Sequence, residues 1–265
     1  MLIDTHAHLD FNQFDDDRDA VLARAWQAGV AAIVTIGTDL KTSRAAVALA
    51  EAHERILATV GFHPHDAKSA NAAALAELRE LGRHPRVVAV GEIGLDFYRD
   101  RSPRDVQRRV FGRQLHVAAE LGKPVVIHDR QAHAETLEIL RQWVAESQPE
   151  HSAYRGVIHC FSGDLALAQA AIELGFFIGV DGPITYQNAR QLPAIVKALS
   201  LDRLLLETDA PFLTPHPHRG QRNEPAYVRL VAEKIADLKD LSLEEVAQTT
   251  TTNAQTLFQF DIPQP

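Results

Sequence analysis

Short runs of β-branched and apolar residues alternate along the chain with longer amphipathic stretches rich in Ala, Leu, Glu and Arg. The apolar runs predict strands over Leu2–His8, Ala31–Gly37, Ile56–Phe62, Val87–Glu92, Pro124–His128, Gly156–Cys160, Phe176–Val180 and Arg203–Asp209. The stretches between them predict helices over Asp16–Ala28, Thr42–Ala52, Asn71–Leu81, Pro103–Leu121, Ala134–Glu146, Leu165–Leu174 and Ala189–Leu199. Two more helices are predicted near the end, over Pro225–Leu238 and Leu243–Leu257. Gly29, Gly122 and Gly175 each stand just before a strand, the usual place for a helix stop. Strand–helix alternation implies a parallel sheet covered by helices.

Eight such units predict an α/β protein, a single (β/α)8 TIM barrel over residues 1–265. The competing arrangement is a doubly wound open sheet, which would place a glycine-rich turn after the first strand. Here His8-Leu9-Asp10-Phe11 follows that strand, without a glycine.

Composition narrows the picture. The hydrophobic share of 46% suits a globular protein with a substantial core. A net charge of −8 argues against a broad basic surface for gripping nucleic acid, so a polyanion would have to be met locally. Cys160 is the single cysteine, which excludes an intramolecular disulfide and fits a reducing compartment. No secretory signal opens the sequence, and the longest apolar stretch, near Ala28 to Ile36, is far short of a membrane span. A soluble, cytoplasmic protein with no membrane partner is expected, its oligomeric state open.

The 13 histidines direct attention to metal chemistry. His6 and His8 lie two apart on the first strand, so both side chains point to one face. Four further strands end in a residue of metal-ligating type: Glu92, His128, His159 and Asp209. A barrel gathers its C-terminal strand ends at one face, which brings these positions into one pocket. Taken singly, a strand histidine is usually a satisfied core or surface residue, Glu92 an ion-pair partner and Asp209 a turn cap. Together at one mouth, four imidazoles and two carboxylates would be costly to leave without a partner. Six ligands suit two ions better than one, with Glu92 able to bridge and Asp209 able both to ligate and to accept a proton from water.

These segments resemble the TatD family of metal-dependent hydrolases. The resemblance rests on Asp4-Thr5-His6-Ala7-His8-Leu9-Asp10, Gly61-Phe62-His63-Pro64-His65, Gly91-Glu92-Ile93-Gly94-Leu95-Asp96, Ile158-His159-Cys160-Phe161-Ser162-Gly163, Glu207-Thr208-Asp209-Ala210-Pro211 and the stretch from Arg219-Gly220 to Pro225. It implies a TIM barrel with a binuclear divalent-metal site, in which His6, His8 and Asp209 serve one ion, His128 and His159 the other, and Glu92 both. It further implies deoxyribonuclease activity, commonly 3′→5′ exonuclease action on single-stranded DNA ends, with Mg²⁺ or Mn²⁺. Hydrolysis of an aminoacyl ester, as in D-aminoacyl-tRNA deacylation, is the alternative the family suggests. Zn²⁺ is also compatible with four imidazoles. One departure is Asp129, where the family often has threonine. Strand 4 holds Glu92 and no lysine, which argues against a carboxylated-lysine bridge.

Candidate substrate contacts surround this set. Arg130 shares parity with His128, and the loop after strand 8 carries Arg219 and Arg222. Arginine forks suit phosphate oxygens. His63 ends strand 3 and is assigned to substrate; Glu207, which shares parity with Asp209, is read as a carboxylate that orients substrate or supports a metal ligand. By the same parity Asp4 is expected to orient a ligand imidazole, and Cys160, of opposite parity to His159, to pack in the core. Phe97 and Tyr98 are candidates for stacking on a base, although loop packing is the commoner fate of such residues.

Overall fold

The computed structural model describes residues 1–146 and 154–262. Eight parallel strands pair side by side in chain order. They are β1 (Leu2–Ala7), β2 (Val30–Thr35), β3 (Ile56–Val60), β4 (Val87–Asp96), β5 (Val125–Arg130), β6 (Gly156–Ile158), β7 (Phe176–Val180) and β8 (Leu204–Leu206). The sheet closes where β8 returns to β1, through Asp209 N–H to His6 O at 2.9 Å and His8 N–H to Ala210 O at 2.8 Å. Helices α1 (Arg18–Gln27) to α7 (Gln191–Ala198) occupy the crossovers, and α8 (Val228–Lys239) and α9 (Leu243–Phe258) complete the chain. The architecture is the TIM barrel expected of the sequence. Among the described residues no helix is long and apolar enough to cross a membrane.

Local chemistry explains the element boundaries. Asp39 and Thr42 form a capping box at the start of α2 (Leu40–Ala52), and Ser242 with Glu245 does the same for α9. Helix α4 (Arg104–Leu121) ends at Gly122, whose φ of 62° is open to a residue lacking Cβ.

Two apolar layers hold the barrel. The inner layer includes Ile3, Val34, Leu57, Val88, Val126, Val157, Phe177 and Leu205. Ala254, Leu257 and Phe258 of α9 join it, so α9 seals the end opposite the strand C-termini. Asn253 anchors that seal by donating to Leu201 O and Leu204 O at 2.9 and 2.8 Å.

Strict alternation carries inward-facing positions from this layer to the mouth on four strands. Val126 leads to His128, Val157 to His159, Phe177 to Gly179 and Asp181, and Leu205 to Glu207 and Asp209. On β1 alternation breaks, where the pairing register shifts between Asp4 and Ala7; β4 also shifts register, between Val90 and Ile93, while Val88, Glu92 and Asp96 keep one parity. Ile3 belongs to the inner layer, yet even-numbered His6 and His8 reach the mouth, so β1 changes phase. Such irregularities re-aim side chains near active sites.

Candidate metal centre

The strand C-termini open into one cavity of about 540 Å³. His8, Glu92, His128, His159 and Asp209 line it, while His6 lies fully buried beneath. Strands β1, β4 and β5 and the segments just after β1, β6 and β8 each contribute, so the six predicted ligands do converge.

His6 Nε2 lies 3.6 Å from Glu92 Oε2 and 3.7 Å from Asp209 Oδ1. His8 Nε2 lies 3.9 and 3.3 Å from the same two oxygens. Donors about 2.1 Å from one tetrahedral ion sit roughly 3.4 Å apart, so this set has the spacing of a coordination shell. Both ring nitrogens of His6 and Nδ1 of His8 are buried without a hydrogen-bond partner. A buried imidazole nitrogen without a hydrogen-bond partner, facing two carboxylates at coordination spacing, fits a cation there.

Glu92 also reaches the opposite group. Its Oε1 lies 2.7 Å from His128 Nδ1, 3.5 Å from His63 Nε2 and 4.0 Å from His159 Nε2. His159 Nε2 is also 3.8 Å from Asp209 Oδ1. The His6 and His159 rings stack at 3.4 Å. His63, assigned from sequence to substrate, is close enough to Glu92 and His128 to share an ion with them.

Supporting carboxylates fix the imidazoles. Glu207 Oε2 accepts from His159 Nδ1 at 3.0 Å and from the Cys160 N–H at 3.0 Å. Asp96 Oδ2 lies 3.2 Å from His128 Nε2 and 2.9 Å from His65 Nε2. Burial opposes charge on His128, but Asp96 and Glu92 outweigh it and push the imidazole up to about 9. Burial likewise opposes charge on His159, yet Glu207, Glu92 and Asp209 raise it to about 10. For Glu92 the surrounding His63, His128 and His6 overcome burial and hold the carboxyl well below its usual range. Burial drives His6 down, with His159 adding to the effect, and drives His63 further down.

Several expectations are revised by position. Glu207 is 0% exposed and sits behind His159, a position that suits the support of that imidazole, one of its two expected roles, over contact with substrate. Asp4 holds two backbone N–H groups and a hydroxyl instead of an imidazole, accepting from Thr208 N–H at 3.0 Å, Thr208 Oγ1 at 2.6 Å and His6 N–H at 3.3 Å. Cys160 faces the cavity: β6 ends at Ile158, and a φ of 44° at Cys160 breaks the alternation. Arg130 lines the cavity, but Arg219 lies over the Tyr186 ring and Arg222 pairs bidentately with Asp17 at 2.7 Å, both outside the lining. Phe97 packs beneath Arg104 and Arg108, leaving Tyr98 alone at the mouth.

Asp96 and Asp181 were not singled out from sequence. β4 runs to Asp96, beyond the predicted end at Glu92, and the spacing of four from Glu92 was the available signal. Asp181 follows Gly179 and Phe177 in the inward phase of β7 and is buried with neither oxygen partnered. Asp129, the noted departure, accepts from His133 Nδ1 at 2.8 Å and from the Ala132 N–H at 3.3 Å, tying the strand to the start of α5 (His133–Glu146).

A model of the TatD related DNase family matches residues 3–259. The chain belongs to the TatD family. It is 44% identical over 261 residues to the metal-dependent hydrolase YabD of Bacillus subtilis, covering 98% of this chain and 100% of that one. The 3′-5′ ssDNA/RNA exonuclease TatD of Escherichia fergusonii is 38% identical over 263 residues, covering 97% and 98%. The crystal structure of YJJV, a TatD homologue from Escherichia coli K12, superposes with a TM-score of 0.91 at 35% identity, covering 98% of each chain. As a TatD-family member the chain is a metal-dependent hydrolase acting on ester bonds.

Proposed function

We propose that this TatD-family hydrolase is a nuclease that removes nucleotides from single-stranded DNA ends, in the 3′→5′ direction, at a centre of two divalent ions. The observation that carries the reading is the donor set around Glu92, whose two oxygens face different imidazole groups, beneath a cavity lined by Arg130. An arginine unpaired with any carboxylate among the described residues suits a phosphodiester better than an aminoacyl ester. The exonuclease name of a relative at 38% identity agrees with this choice.

His6, His8, Asp209 and Glu92 would hold one ion; Glu92 with His128 and His159 would hold the other, with His63 adjacent. Mg²⁺, Mn²⁺ or Zn²⁺ bound there would supply an activated water and neutralise charge on the phosphate. Asp209 would help to hold an ion, and its carboxylate is placed to accept a proton from water. Glu207 and Asp96 keep His159 and His128 turned toward the mouth. Arg130 binds a non-bridging phosphate oxygen and aligns the scissile bond.

The test is digestion of 3′- and 5′-labelled single strands by EDTA-stripped protein, before and after Mg²⁺ or Mn²⁺ is restored. Stepwise release from the 3′ end only with metal is expected, and Asp209→Asn should lower it by about 10²–10⁴-fold. Equal release without metal, or none with it, would refute the reading.

A further inference from the structure

Two opposite lips border the cavity, and their chemistry differs. Only four large hydrophobic side chains are strongly exposed among the described residues, and two of them, Tyr98 at 53% and Phe212 at 44%, line this cavity. Tyr98 follows β4 and Phe212 follows β8, which are four strands apart and so diametrically opposite in an eight-stranded barrel.

The β8 lip is aromatic. Phe212 meets Phe11, which follows the adjacent β1, with ring centroids 5.9 Å apart. Phe11 in turn stacks on His8 at 4.7 Å. No arginine or lysine lines the cavity on this side.

The β4 lip is cationic. Arg99, Arg101 and Arg130 line the cavity there, and none makes an ion pair with a carboxylate among the described residues. Their neighbours Arg104 and Arg108 are paired, with Asp100 and Glu135. The guanidinium groups of Arg99 and Arg130 each stand 5.3 Å from the Tyr98 ring centroid. The Tyr98 ring thus engages two of these arginines and holds them at the rim.

Resting on the nuclease reading, we infer that the mouth divides a single strand asymmetrically: the terminal base stacks on Phe212 and Phe11, and beyond the scissile phosphate at Arg130 the phosphates of the remaining strand run over Arg99 and Arg101. Aromatic faces hold any base without reading its edge, while guanidinium groups follow the backbone charge. The donor cluster lies between the lips, so the bond cut is the one that frees the terminal nucleotide. A paired terminus cannot lay its last base on Phe212 without first unpairing.

The test uses the Mn²⁺-loaded full-length protein and single strands degraded from a labelled end. One strand ends in a normal nucleotide, the other in an abasic tetrahydrofuran residue, and each is made as a dinucleotide and a 12-mer. Wild type should favour the normal end by about tenfold in kcat/KM. Phe212→Ala should abolish that preference and Phe212→Tyr should restore it, with melting temperatures confirming that both fold. Arg99→Ala combined with Arg101→Ala should raise KM for the 12-mer at least fivefold more than for the dinucleotide.

An unchanged preference in Phe212→Ala, or equal effects of the arginine pair on both lengths, would overturn the two-lip assignment while leaving the nuclease reading intact. If no strand releases nucleotide with metal, the nuclease reading fails and the assignment fails with it.

Discussion

At the scale of single residues, what distinguishes the site's side chains is whether they already have a partner. His6 is buried with two unpartnered nitrogens, which is tolerable only if something else meets its lone pair. Arg130 and Arg222 looked alike in sequence, but Arg222 is held by Asp17 at 2.7 Å and lies over Phe14 at 4.8 Å. That pair is about one-third exposed on each side, so it stabilises the fold by only about 0–1 kcal/mol. Arg130→Ala should raise KM for a DNA end by roughly tenfold, the loss of one charge-assisted bond to phosphate. Arg222→Ala should leave KM within about twofold and lower Tm slightly. Steady-state kinetics on the two variants separate these roles, and a larger KM effect from Arg222 would reverse the assignment.

Strands were the most legible elements, because each buries an apolar run and ends in chemistry. Inward alternation correctly carried His128, His159 and Asp209 to the mouth. It failed where backbone leaves the regular ladder: the phase change in β1 hides the direction of His6 from any count by two, and the turn at Cys160 exposes a residue expected in the core. Partners reached across the barrel were also hidden, since Glu207 and His159 meet only after the strands close. Gly179 shows how tightly that meeting is built. A Cβ there would lie 2.4 Å from both Glu207 carboxylate oxygens. Gly179→Ala should displace Glu207, cost about 1–3 kcal/mol by overpacking, and weaken Mn²⁺ binding by about 10–100-fold through the loss of His159 orientation. Calorimetric titration with Mn²⁺ checks this, and wild-type affinity would mean that Glu207 does not position His159.

Over the whole molecule, the donor cluster couples metal binding, pH and stability. His128 and His159 are raised from their ordinary 6.5 to about 9 and about 10 in the metal-free fold. Groups raised in this way contribute stability that is fully present below about 6.5 and lost as pH climbs through the raised values. Tm of EDTA-treated protein should therefore fall between pH 6.5 and 9. A divalent ion displaces those protons, so the Tm gain on adding Mn²⁺ should grow over the same window. A metal-free Tm that rises with pH there would mean that the two imidazoles are not held protonated by Glu92, Asp96 and Glu207. The barrel's overall form was evident from eight strand–helix units, but this coupling was not, because it depends on distances between residues as much as 203 positions apart.

The claim on which the rest depends is a pair of divalent ions sharing Glu92. Anomalous diffraction from crystals soaked in Mn²⁺ tests it most directly. Two peaks about 3.5–4 Å apart are expected, one among His6, His8 and Asp209 and one beside His128 and His159, with Glu92 touching both. A single peak, or peaks that leave Glu92 uncoordinated, would contradict it.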